Sequence, residues 1–253
     1  MIEDISAIEA VKIVKSGDRV FIHGSAATPV HLIKALQNRY DEIKNIELVS
    51  ITNLGDIIFD KPEYRKSFFF NSLFVSANTR SVVNSDDGDY VPVFLSQIPQ
   101  LFRKNILPID VALIQVSPPD AHGYCSLGTS VDIAKAAVET ARVIIAQVNP
   151  KMPRTHGDGF LHVKKIHSLV WHETDLPEVD YSSKASEAMI SIGKMLHRLS
   201  MTGLLCKWVL AAFPTRYYKI YRIIKILVFI QKCYRMESYR FWKKASSITV
   251  LRN

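Results

Sequence analysis

Two apolar runs constrain this chain more than anything else in it. Asp110–Val116 reads DVALIQV and Arg142–Val148 reads RVIIAQV, almost without polar interruption. A strand with one wet face alternates apolar and polar residues. A strand without alternation is covered on both faces, the situation of a parallel strand between two helix layers. Between the two runs, Thr129–Ala141 carries Ala, Val and Ile at helical spacing. The same rhythm occurs earlier. Ser6–Lys15 has a helical face of Ile8, Ala10, Val11 and Val14 and ends at Gly17-Asp18. Arg19–His23 (RVFIH) is a short apolar strand, a helix follows from Pro29 to Asn38, and Asn45–Ile51 and Phe68–Phe74 are further strand candidates. Repeated strand–loop–helix units predict an α/β fold, an open and mainly parallel sheet with flanking helices. Ligand sites in such a fold stand on the loops beyond the strand carboxyl ends.

The net charge of +8 suggests a nucleic acid or an anionic membrane as partner until it is divided along the chain. Residues 1–194 hold 20 lysines and arginines against 23 acids, a net of −3. Residues 195–253 hold 12 against the single acid Glu237, a net of +11. So abrupt a step marks a boundary between a domain at 1–194 and a basic tail at 195–253. The tail has apolar stretches at 203–213 and 223–230 but no aspartate, no helix caps and no period that would give it a core. Three cysteines, Cys125, Cys206 and Cys233, lack the spacing of a metal site or disulfide framework, which fits a reducing compartment. The opening MIEDISAIEAVKIV has acids where a signal peptide needs bases, and no run of 18 apolar residues occurs. A cytoplasmic location is expected.

Four loops carry residues able to do chemistry, and each has a plainer reading beside it. Gly24-Ser25-Ala26-Ala27-Thr28-Pro29 joins a strand to a helix. Its small residues would let an anion approach a helix start, or they form a tight turn with Pro29 as first helical residue. Asn78-Thr79-Arg80-Ser81 presents a cation for a carboxylate or phosphate, or one paired with a nearby aspartate of Asp86–Asp89. Ser117–Gly128 (SPPDAHGYCSLG) follows the best strand. His122 and Cys125 are an acid/base and a thiol, or parts of a structured turn. Asn149–Asp158 (NPKMPRTHGD) offers Lys151 and Arg154 to an anion, or is a rigid connector. His162, His167 and His172 fit no metal-binding face and read as ordinary strand and loop histidines. No phosphate-loop, dinucleotide or zinc signature is present.

Taken together, these loops are more specific than any one of them. SANTRSVVNSDDGDYVPVFLSQIP (Ser76–Pro99), QVSPPDAHGYCSLGTSVD (Gln115–Asp132) and NPKMPRTHGDGFLHV (Asn149–Val163) resemble, in order, the N-terminal domain of acetyl-CoA hydrolase/transferase proteins, a family that includes acetate, butyrate and 4-hydroxybutyrate CoA-transferases. The resemblance runs from about Glu3 to Lys194. It implies a CoA-transferase-type α/β domain forming one half of a two-domain enzyme, with the active site between the halves. The implied substrates are an acyl-CoA and a short-chain carboxylate. Coenzyme A is a substrate and not a resident cofactor, no metal, nucleic acid or membrane is involved, and a homodimer is compatible. It also implies a glutamate nucleophile and a glutamyl-CoA intermediate, with hydrolysis as the variant in which water intercepts that intermediate. Gly24, Ser25, Ala26, Asn78, Thr79, Arg80, Ser117, Pro118, His122, Gly123, Tyr124, Asn149, Met152, Pro153 and Arg154 match the family's motifs and are expected to line the substrate cleft. A binding module with a basic tail for membranes or nucleic acid is the competing reading.

The family's glutamate and its glycine-rich CoA loop belong to the half that follows, with patterns like GIGxIPDAVL and LGIHTEMxSDG. This chain reads CKWVLAAFPTRYY and LVFIQKCYRMES at the corresponding places. A shift of one base accounts for both. With suitable codons, Cys206–Tyr217 becomes LQMGIGSIPDAV, Leu227–Ser238 becomes LGIHTEMLSDG, and Met195–Leu205 becomes a stretch resembling NVASLVNDGATL. The expected glutamate codon then falls across Gln231 and Lys232. The expectation is a base lost near the codon for Lys194, a tail read out of frame and a chain without its nucleophile.

Overall fold

The computed structural model describes residues 5–178, together with Glu187, Ala188 and Ser191; the tail at 195–253, with Gln231 and Lys232, lies outside the described residues. Seven strands form one sheet: β1 (Arg19–Ile22), β2 (Ile46–Ser50), β3 (Phe68–Ser72), β4 (Gly88–Tyr90), β5 (Val111–Val116), β7 (Val143–Val148) and β9 (Ser168–Trp171). Their order is β4-β3-β2-β1-β5-β7-β9, and every neighbouring pair is parallel. A short antiparallel ribbon, β6 (Tyr124–Ser126) with β8 (Phe160–His162), stands apart from the sheet.

The unalternating runs are buried on both faces, as the sequence requires. All six residues of β5 are buried, and odd and even positions enter different cores. Val111 and Leu113 join Val20, Ile22, Leu48 and Ile145 beneath helices α1 (Ala7–Ala10) and α2 (Val30–Gln37). Ala112, Ile114 and Val116 join Phe21, Val49, Ile144 and Val148 beneath α4 (Ile98–Arg103) and α5 (Ala134–Thr140). α5 can lie close to the sheet because its buried face is Ala134, Ala137 and Val138. The short helix α3 (Arg80–Val83) joins β3 to β4.

Three details differ from the sequence reading. Pro29 is the N-cap of α2 and not its first residue. The first helix is α only over Ala7–Ala10, capped by Ser6, and tightens to a 3₁₀ turn at Val11–Ile13. The helix expected from Thr129 begins only at Ala134, because Ser130 turns its carbonyl to the ring of His23 at 2.6 Å.

That contact is the key to the strand-order reversal between β1 and β5. His23, the residue after β1, is fully buried. Its Nδ1 accepts the Gln115 N–H of β5 at 3.2 Å, so the neutral ring carries its hydrogen on Nε2 and donates it to Ser130. Burial pushes the imidazole below its ordinary value. The unfolded chain protonates His23 near 6.5 while the folded chain resists. Below that value the unfolded state therefore binds more protons, and stability falls as the pH drops. His23→Ala leaves a buried donor and a buried acceptor without partners and is expected to cost about 2–5 kcal/mol, read from the urea midpoint at pH 7.5. The wild type should lose stability as the pH falls below about 6.5, and His23→Gln should flatten that slope.

Candidate functional site

Because all seven strands run in one direction, their carboxyl ends share one edge, and the crevice of such a sheet opens where the order reverses, between β1 and β5. The strands turn polar there. Ser50, Ser72, Gln115, Ser117, Gln147 and Asn149, each at or near a strand's carboxyl end, are all buried. Gln115 and Gln147 are paired in register and joined by an Nε2–H to Oε1 bond of 2.6 Å.

The loops on this edge are sewn into a rim. Gly24 packs so closely on the β2 loop that a Cβ would stand 2.9 Å from Ile51 Cγ1 and 3.1 Å from the Thr52 carbonyl. Ser25 has a positive φ of 55° and donates its N–H to the Thr52 carbonyl at 2.6 Å, while the two hydroxyls lie 3.1 Å apart. Ala26 is half-buried in the same turn. Thr28 Oγ1 accepts the Leu54 N–H. The next loop is tied to this one by Asn78, whose amide donates to the Gly55 carbonyl at 3.0 Å. Thr79 is buried and accepts the Ser76 N–H on its hydroxyl. Arg80 is exposed, and among the described residues no carboxylate pairs with it; Asp87, which the sequence offered as a partner, sits 3.3 Å from Arg65 instead.

On the other side of the reversal, Asp120 organises the loop. Its Oδ1 accepts the N–H groups of His122 and Tyr124 at 2.9 and 2.8 Å, and its Oδ2 takes Arg154 Nη2 at 2.6 Å. The Tyr124 N–H, with the His122 N–H and Arg154 behind it, holds this carboxyl below the usual carboxylate range. Arg154 also donates to the Tyr124 carbonyl, so the ribbon's two arms are clamped together. Ser117 is buried and receives the Ser126 N–H, Pro118 is half-buried, and Gly123 lies in the turn between exposed His122 and Tyr124. Cys125 points the other way, into the core, where burial raises its thiol to about 11. The thiol is a packing group, and no Cys–His pair forms. Met152 is buried against Gly128, Pro153 is exposed, and Asn149 holds Thr174 through bonds to both its carbonyl and its N–H. Lys151 is taken up by Asp175 and Glu173.

The loops named from sequence thus meet on one edge, though several of their side chains serve to hold loops. Sequence reading missed His23; a histidine closing an apolar strand just before Gly-Ser was the available signal. It also missed Thr52, Asn53 and Gly55, whose loop carries no motif. Among the described residues no three His, Cys, Asp or Glu side chains are grouped to hold a metal, and no helix is long and apolar enough to cross a membrane.

Residues 3–191 match the model of the acetyl-CoA hydrolase/transferase N-terminal domain. The chain belongs to this family. It is 38% identical over 210 residues to the 4-hydroxybutyrate coenzyme A transferase of Clostridium kluyveri, covering 83% of this chain and 49% of that protein. It is 44% identical over 191 residues to the succinyl-CoA:acetate/propanoyl-CoA:succinate CoA transferase of Fasciola hepatica, covering 74% and 39%. Among solved structures, RipA from Yersinia pestis superposes with a TM-score of 0.77 at 28% identity, covering 85% of this chain and 52% of that one. The chain therefore spans about half or less of the length of these relatives.

Gly128 tests whether the rim's inner wall is as close-packed as its contacts imply. Its φ is +67°, and a Cβ would fall 2.1 Å from Met152 Sδ. Gly128→Ala should destabilise the chain by about 1–3 kcal/mol in urea unfolding. Gly157, whose Cβ would meet nothing within 4 Å, offers the comparison: Gly157→Ala carries only the cost of its positive φ.

Proposed function

We propose that this chain supplies one wall of a cytoplasmic acyl-CoA:carboxylate CoA-transferase, and that the group that carries CoA comes from a second half of the polypeptide. The observation that carries the reading is the rim itself: small, close-packed loops at the sheet reversal, matched by the family's motifs. Asp56, Asp120, Glu173 and Asp175 stand on or beside it, and each is turned to a cation, Lys34, Arg154 or Lys151.

In the proposed reaction a glutamate carboxylate attacks the thioester carbonyl and expels CoA thiolate, giving an acyl-glutamyl anhydride. The thiolate attacks the glutamyl carbonyl of the anhydride and releases the first acid, leaving glutamyl-CoA. A second carboxylate then repeats the steps in reverse and departs as the new acyl-CoA. Bond energy is conserved in the thioester, so no ATP is consumed. Main-chain N–H groups placed at the tetrahedral centre serve the developing oxyanion. The short-chain acids named for the relatives set the expected substrate class, with the completed polypeptide acting as a homodimer.

The charge step at residue 194 and the family-like segments recovered by a one-base shift support an out-of-frame tail. The 253-residue polypeptide is expected to transfer no CoA from acetyl-CoA to butyrate above background. A polypeptide made with the frame restored after Lys194 should transfer it. Transfer by the unextended chain at a rate typical of enzymes, or none by the restored one, contradicts the proposal.

A further inference from the structure

Beyond β9 the chain does not leave the domain. Residues 172–178 form a strap that crosses to the start of α2 and to the β2 loop. Asn149 takes the strap at Thr174, accepting its N–H at 3.3 Å and donating to its carbonyl at 2.8 Å. Farther along, Pro177 reaches Gly55: a Cβ there would stand 3.7 Å from Pro177 Cγ and 2.8 Å from Val30 Cγ2. Strap, β2 loop and the first residue of α2 thus meet at one point. The tie to α2 itself is made by two rings. His172 lies flat on His31, with centroids 4.0 Å apart and planes 7° from parallel. Both rings are half-buried.

The surroundings of this pair make it sensitive to protons. In the groove beside His31, α1 presents Ser6, Ala7 and Ile8, none of them charged, and the charged residue of α2 is the cation Lys34. Lys34 is matched by Asp56 of the β2 loop, and the strap's own acids, Glu173 and Asp175, are both turned to Lys151. Neutral, the two rings share a dispersion contact. Protonated together, they set two like charges face to face, and the nearby acids are already drawn to lysines. Burial, and after it the facing His172, hold His31 below its ordinary value. With the strap lifted, His31 stands in water and takes up a proton more readily. The open form therefore binds more protons than the closed one, and falling pH favours opening. The ion pairs of Lys151 are exposed and too weak to resist this by themselves.

We propose that the His31–His172 stack is a proton-operated latch: at neutral pH it holds the strap against α2, and below about pH 6 it lets the strap lift from α2 and from the β2 loop. The latch stands independently of the transferase reading. Its consequence falls on the rim. Gly55, against which Pro177 rests, also accepts the Asn78 amide, so lifting the strap strips a neighbour from the tie between two rim loops. His23 responds to acid as well, but it is fully buried at the seam and acts on the whole fold. The latch acts on the strap alone, and a local measurement separates the two.

Hydrogen exchange of the 253-residue chain at pH 7.5 and 5.5, read by mass spectrometry and corrected for intrinsic rates, tests it. In the wild type, protection of the peptide spanning residues 172–178 should fall about tenfold over that range, while β5 stays protected. His31→Phe with His172→Phe keeps two stacked rings that take no proton, and its strap should be equally protected at both pH values. In His172→Phe alone, a protonated His31 faces a ring that attracts it, so acid should leave the strap as protected as before or more so. A wild-type strap indifferent to pH, one that opens equally in the variants, or one that opens only together with β5 overturns the latch. Ring and amide NMR signals of the wild type give a reading that needs no variant. The His31 ring and the Thr174 N–H should shift over one pH range, and a Thr174 signal that stays in place while His31 titrates contradicts the proposal.

Discussion

A single buried imidazole joins the loops on either side of the sheet's strand-order reversal. The sheet reverses its strand order between β1 and β5, and at that seam two strands diverge toward loops on opposite sides. His23 spans the seam with one nitrogen on the β5 backbone and the other on the turn before α5. Both bonds are enclosed, so neither partner can turn to water if the ring is lost. The ring must be neutral with its hydrogen on Nε2 for both bonds to exist, and burial enforces that form. Stability and site geometry therefore share one proton.

From that seam outward, the rim is built by main-chain contacts and by side chains such as Arg154, Asp120 and Lys151 whose charges are spent locally, with Arg80 left exposed. Arg154 shows the consequence. An arginine on a loop at a strand end looks like an anion receptor, yet its guanidinium holds Asp120 and the Tyr124 carbonyl. A pair of this kind, about one-third exposed on each side, contributes modestly to stability but fixes the arms of the ribbon relative to each other. The rim is thus a shaped and positioned surface. In the proposed chemistry the nucleophile comes from a second half.

The fold was legible because its physical signals are local. Unalternating runs such as DVALIQV mean double coverage, and the intervening helical spacing means parallel crossovers. The order of strands and the reversal point were not legible, since they depend on which loops are long enough to cross. β4 and β9 were not named because they are short, GDY and SLVW. The site was legible only as a set of loops. That Asn78 would reach Gly55, or that Asn149 would hold the segment after β9 through Thr174, are contacts over 23 and 25 residues that no spacing announces. His23 was readable in position but not in role, because its partners lie 92 and 107 residues away.

The central claim is that this half binds and orients but carries no nucleophile. Intact-mass measurement of the 253-residue polypeptide after incubation with acetyl-CoA, quenched before any thioester can hydrolyse, tests it most directly. The account predicts an unmodified mass. A CoA or acetyl adduct mapping to any carboxylate within residues 5–178 would contradict it.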